Sequence, residues 1–166
     1  MLKSVVSTVT ERFSSRPANL NIGAVCAYHL WDLVDPIHAC ADFSEDRQRF
    51  ENSVLRFDPE LQGFYAALCY LSIVETSGHQ DYFSSAHAMQ YEDALDFFMS
   101  SAMPEVAALM EQACQHFTNG PLMAVGMGVS YDAELLVDFD HALACLDPVP
   151  GLARYARRRP DFFAAW

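Results

Sequence analysis

The chain has no lysine or arginine between Arg56 and Arg154, yet that stretch carries fourteen acidic residues, from Asp58 to Asp147. The middle of the molecule therefore presents an anionic surface, which excludes nucleic acid or an anionic lipid surface as a ligand held there by charge. Over the whole chain, 22 acidic residues against 10 basic ones give a formal charge of −12. Four of the ten cations, Arg154, Arg157, Arg158 and Arg159, crowd into six positions near the C-terminus. Charge is thus separated as well as unbalanced. A field of this sign favours encounters with basic proteins, and it also serves plain solubility.

Other absences narrow the class further. The longest notable uncharged run, Leu61 to Val74, lies between Glu60 and Glu75 and falls short of the ~20 apolar residues that cross a bilayer, so it reads as a buried helix. The segment Met1 to Val6 has one cation, Lys3, and no sustained apolar stretch precedes Glu11 and Arg12. It does not have the pattern of a signal peptide, and a cytoplasmic location is expected. The five cysteines (Cys26, Cys40, Cys69, Cys114, Cys145) are odd in number, widely spaced and set in apolar context. They fit small core residues better than disulfides or a zinc knuckle.

Enzymatic signatures are missing as well. There is no glycine-rich phosphate loop followed by lysine, no Gly-x-Ser-x-Gly elbow and no His-Glu-x-x-His pair, and Gly126-Met127-Gly128 alone reads as a turn. The six histidines never fall at the i, i+3 or i+4 spacing that puts two imidazoles on one helical face. His79, Asp81 and His87 form the one local cluster to inspect for metal or acid–base work. The expectation is a non-enzymatic protein with no metal or cofactor.

What is present is helical pattern. With 52% hydrophobic and 13% aromatic residues in 166, the chain can bury a substantial core, and it reads as a mainly α single-domain bundle of six to eight helices. Residues 1–18 form an N-terminal arm or short helix and residues 19–166 the domain. A first core helix runs from Leu20 to a stop at Asp35-Pro36. Ser44 caps an amphipathic segment that contains Phe50 and Val54. The clearest start is Asp58-Pro59-Glu60, where an acidic cap, proline at the first helical position and a first-turn carboxylate coincide. It launches the apolar helix Leu61 to Glu75, which Gly78 punctuates.

Further on, Ala88, Tyr91, Ala94, Leu95, Phe98 and Met99 make an apolar stripe, and Pro104 opens another helix that ends at Asn119-Gly120-Pro121. Pro121 to Gly128 is a loop or a short strand. Tyr131 to Leu146 is helical again until Asp147-Pro148-Val149-Pro150, and Gly151 to Trp166 closes the chain.

The acidic residues fall on these helices in an orderly way. Glu92, Asp93 and Asp96 lie opposite one apolar stripe, and Asp132, Glu134, Asp138 and Asp140 opposite another. Asp93/Asp96 and Glu134/Asp138 are spaced so that each pair shares a helical face. These seven are the candidate partner-binding carboxylates; a solvated amphipathic helix displays the same pattern for no partner at all. Duplex DNA carries one charge per ~1.7 Å of axis, so a protein decoy must set several such pairs side by side or across a dimer. The arginine cluster would neutralise the end of the last helix, pair with acidic residues elsewhere, or meet a second subunit.

Three stretches carry a resemblance. Thr76-Ser77-Gly78-His79-Gln80-Asp81-Tyr82-Phe83, Ala94-Leu95 with Phe98 and the following Ala102 to Leu109, and Leu152-Ala153-Arg154-Tyr155 with Asp161-Phe162 resemble, in that order, the acidic helical bacterial proteins of the DNA-mimic-protein-like family. In the first stretch Gly78, Tyr82 and Phe83 match, while Thr76, Ser77, His79 and Asp81 replace the family's asparagine, glycine, phenylalanine and glutamine. The likeness spans residues 58–163. It implies a mostly helical homodimer with a non-catalytic role, occupying the DNA-binding surface of a basic transcription regulator. An immunity protein that neutralises a cognate toxin is the alternative, since it too needs an acidic helical surface.

Overall fold

The structure, a computed structural model, describes residues 29–44, 46–119 and 133–164. Among these residues it is helical with no strand, the mainly α architecture that the pattern predicts. Helix α1 spans Leu30–His38, α2 Arg47–Val54, α3 Pro59–Ser84, α4 Tyr91–Ser100, α5 Pro104–Asn119, α6 Ala133–Leu146, α7 Val149–Arg157 and α8 Pro160–Ala164; a 3-10 turn, Ala86–Gln90, joins α3 to α4. The predicted arm at 1–18, the start of the first helix and the segment Pro121 to Gly128 lie outside the described residues.

Helix α3 is central because it can be nothing else. Its residues from Phe64 to Leu71 are buried without a break, so it has no face to give to water. Helices α1, α4, α5 and α6 pack around it. The Asp58 carboxylate accepts from the Glu60 amide at 2.8 Å, and Pro59 occupies the first turn, where its missing N–H costs nothing. One hydrophobic cluster draws on every helix from Leu30 of α1 to Phe163 of α8. Phe64 is its hub towards the C-terminus, with ring centroids 5.6 Å from Phe97 and 4.9 Å from Phe163.

Four local expectations are corrected. Asp35-Pro36 does not end the first helix; Pro36 sits inside α1. Proline removes one ladder bond, but Ile37 is fully buried and Ala39 N–H still reaches the Asp35 carbonyl at 2.9 Å, so packing carries the helix past the break. Asp46, not Ser44, caps α2, accepting from the amides of Gln48 and Arg49. Ser44 instead donates its own amide to Asp42 in the preceding turn. On α4 it is Phe97 that is buried beside Ala94 and Phe98, while Met99 stands 61% exposed. Finally, Asp147-Pro148 ends α6 as expected, but Val149 and Pro150 already belong to the first turn of α7.

Gly78 punctuates α3 as expected, although the chain resumes its helical turn as far as Ser84. Its φ of 86° and ψ of 170° lie in a region essentially closed to other residues. A Cβ there would also come within 2.7 Å of Asp140 Oδ2. This break lets the short arm beyond it turn onto α6.

Candidate functional site

The two sets of predicted carboxylates have different fates. In the first, Glu92 and Asp93 occupy the first turn of α4 and Asp96 the next, all exposed because Ala94, Phe97 and Phe98 take the buried side. Asp93 and Asp96 line a cleft of about 740 Å³, bounded by Pro59, Glu60 and Gly63 of α3 and by Tyr155 and Arg159 at the C-terminal end. Helix α2 approaches from the other side. Its Arg47 pairs with Glu51 at 2.7 Å and reaches Glu92 at 3.8 Å.

The Asp93 carboxyl is pushed up from the ordinary carboxylate value, first by partial burial and then by the like charges of Asp96 and Glu92, with Arg47 opposing. Carboxylates are crowded here to the point of mutual repulsion.

The second set does not form one surface. Asp132 lies outside the described residues. Glu134 and Asp138 are on α6 four residues apart, and Asp138 is exposed. Asp140 turns inward. Its Oδ1 accepts from the His79 backbone amide at 2.9 Å and from His79 Nδ1 at 2.5 Å, which leaves the side chain 25% exposed.

A carboxylate accepts only, so His79 carries its proton on Nδ1, and Nε2 accepts from the Tyr70 hydroxyl at 2.7 Å. His79 is fully buried, and burial pushes its pKa down against the pull of Asp140. Asp140 thus leaves the predicted binding face and fastens the Gly78 turn to α6 through contacts that satisfy every polar atom of the imidazole.

The family-pattern aromatics finish that anchor. Tyr82 is buried with its ring 5.0 Å from Tyr70, and Phe83 stacks on His79 at 6.0 Å and meets Phe117 at 5.3 Å. The cluster of His79, Asp81 and His87 does not assemble: Asp81 is exposed, and His87 lies against Phe43 at 4.2 Å. Among the described residues no group of histidine, cysteine and carboxylate side chains could hold a metal ion.

Sequence reasoning did not foresee the two links that organise these regions. His79 and Asp140 are 61 positions apart, and no spacing rule joins them. Arg159 pairs with Glu60 at 2.5 Å and stacks over Tyr155 at 5.0 Å, while the Tyr155 hydroxyl donates to the same Glu60 carboxylate. Pairing of the arginine cluster with distant carboxylates was one of the options its composition left open.

A mainly α chain with a crowded carboxylate face on α4 and an anchored turn at Gly78 is the class that these observations define. The pattern of the DMP19-like protein family matches residues 55–159, more than half of the chain, and the chain belongs to that family. No curated protein and no solved structure is detectably similar to it.

Proposed function

We propose that the chain is a non-enzymatic acidic binding protein that engages a basic protein, standing in for DNA phosphates on the DNA-binding surface of a regulator. The observation that carries this reading is the row Glu92, Asp93 and Asp96, held together although the Asp93 pKa is raised, first by partial burial and then by the charges of Asp96 and Glu92. Like charges destabilise a fold, so a cluster with no internal cation seated on Asp96 among the described residues is better explained by an external cation than by packing. Membership of the DMP19-like family supports the same reading. In this reading a homodimer doubles the acidic face, and neither nucleic acid nor a membrane is a ligand; no helix among the described residues is long and apolar enough to cross one.

The test is capture of partners from a lysate of the source cell on immobilised protein, with low-salt and high-salt washes and DNA as competitor. A DNA-binding regulator retained at low salt and displaced by DNA supports the reading, because surface charge contacts weaken with salt. A single non-DNA-binding enzyme that survives high salt would replace it with the immunity-protein alternative. Reversal of Asp93 and Asp96 to lysine should abolish capture while the circular dichroism stays helical.

A further inference from the structure

The cleft along α4 has walls of two kinds. Asp93, Asp96 and Glu60 supply carboxylates, while Phe97, Met99 and Tyr155 supply apolar surface. A guanidinium is already seated at one end: Arg159 lies on the Tyr155 ring and against Glu60. At the other end Met99 is exposed at the rim beside two carboxylates, and among the described residues none of the chain's arginines forms an ion pair with Asp93 or Asp96.

A large apolar side chain left in water next to acids that form no close ion pair suits an amphipathic cation, whose methylene stem packs on thioether while its head meets carboxylate. Asp93 and Asp96 are three residues apart on one helix, so their carboxylates stand about 5–6 Å apart at their roots, within the span of one planar fork of donors. A lysine ammonium, a compact point charge, engages such a pair less completely.

We infer that this cleft receives an arginine side chain of the basic partner, its guanidinium between Asp93 and Asp96 and its stem on Met99. The chain's own Arg159 shows the mode next door, one guanidinium held by a carboxylate and a flat apolar surface. The inference rests on the acidic-partner reading and narrows it to a residue type.

Acetylated tetra-arginine amide and tetra-lysine amide, titrated into the full chain at low salt, test it. Methionine methyl NMR follows the site, and Met99→Leu assigns the signal. The arginine peptide should bind at least about threefold more tightly than the lysine peptide and should shift the Met99 methyl. Asp93→Asn with Asp96→Asn should weaken the arginine peptide by about fivefold or more and erase the preference.

The charge-matched pair Asp81→Asn with Glu111→Gln, on exposed positions of α3 and α5, should weaken both peptides modestly and equally. Equal binding of the two peptides, or equal losses from the two double variants, overturns the cleft and leaves the acidic-surface reading in place. Failure of both peptides to bind overturns both readings.

Discussion

Asp93 on α4 and Asp140 on α6 are the same residue type on helices of similar pattern, and the fold uses them in opposite ways. Asp93 is partly buried beside other carboxylates, and its pKa is raised first by that burial and then by their charges. Asp140 faces two N–H donors of a single residue and is held by both. The first carries its charge at a cost to the fold, and the second places its charge where the fold needs an acceptor. Partner geometry, and not the number of acidic residues, separates a carboxylate available for binding from one that is structural. Perturbing each region should therefore move different observables.

The largest effect belongs to Gly78→Ala. The new residue would be forced into a backbone region nearly closed to it, and its Cβ would displace Asp140 from His79. Strain of about 1–3 kcal/mol adds to about 1–3 kcal/mol for unsatisfied donors, so a loss near 4 kcal/mol is expected in urea denaturation. Asp140→Ala follows at about 2–3 kcal/mol, since it strands both the His79 amide and Nδ1–H in a buried site. Capture of the partner by the fraction that remains folded should be unchanged for Asp140→Ala. Loss of capture at full folding would return Asp140 to the binding face.

How far the sequence could be read follows the same division between local and distant causes. Asp58-Pro59-Glu60 marked the start of α3 because capping chemistry acts within one turn, and the apolar run after it could only be central. Glu92, Asp93 and Asp96 were legible as an exposed face because helical periodicity fixes which residues lie opposite Ala94 and Phe98.

Competing local signals were harder. Ser44 and Asp46 are both good caps, and the cap that the chain uses sits one residue before the helix that buries Phe50 and Val54. Pro36 was overruled by the burial of Ile37, a tertiary gain with no local trace. The assignment of Met99 to the buried stripe failed by a small rotation of the helix, which put Phe97 inside in its place. The role of Asp140 was illegible for a stronger reason: it depends on His79, brought to it only after α3 breaks at Gly78 and folds back.

Acid should sharpen the contrast between the regions. His79 has a folded pKa below its ordinary 6.5, so the unfolded chain binds its proton first as pH falls. Its contribution to stability is complete above pH 6.5 and is lost progressively as pH drops from there through the lower folded value. His87, pushed down by burial and then by His38, acts with the same sign. Stability measured by denaturant between about pH 7 and pH 5 should fall, and His79→Gln should flatten part of that slope. An unchanged slope in the variant would assign the titration to His87.

The smallest change in stability should come from Asp93→Asn, and its sign is the sharpest check on the comparison. A carboxyl raised above its ordinary value of 3.8 favours the fold when protonated and loses that favour as pH rises through the folded value. At neutral pH the ionised Asp93 therefore works against folding, and the neutral amide should stabilise the protein by a fraction of a kcal/mol, about 0.5 once solvent screening is allowed for. The same substitution should weaken capture of a basic partner, so stability and binding move apart, the signature of a charge kept for function. Asp140→Ala moves stability alone. If Asp93→Asn instead destabilised the fold, Asp93 would have an internal role like that of Asp140, and the α4 face would lose its central carboxylate.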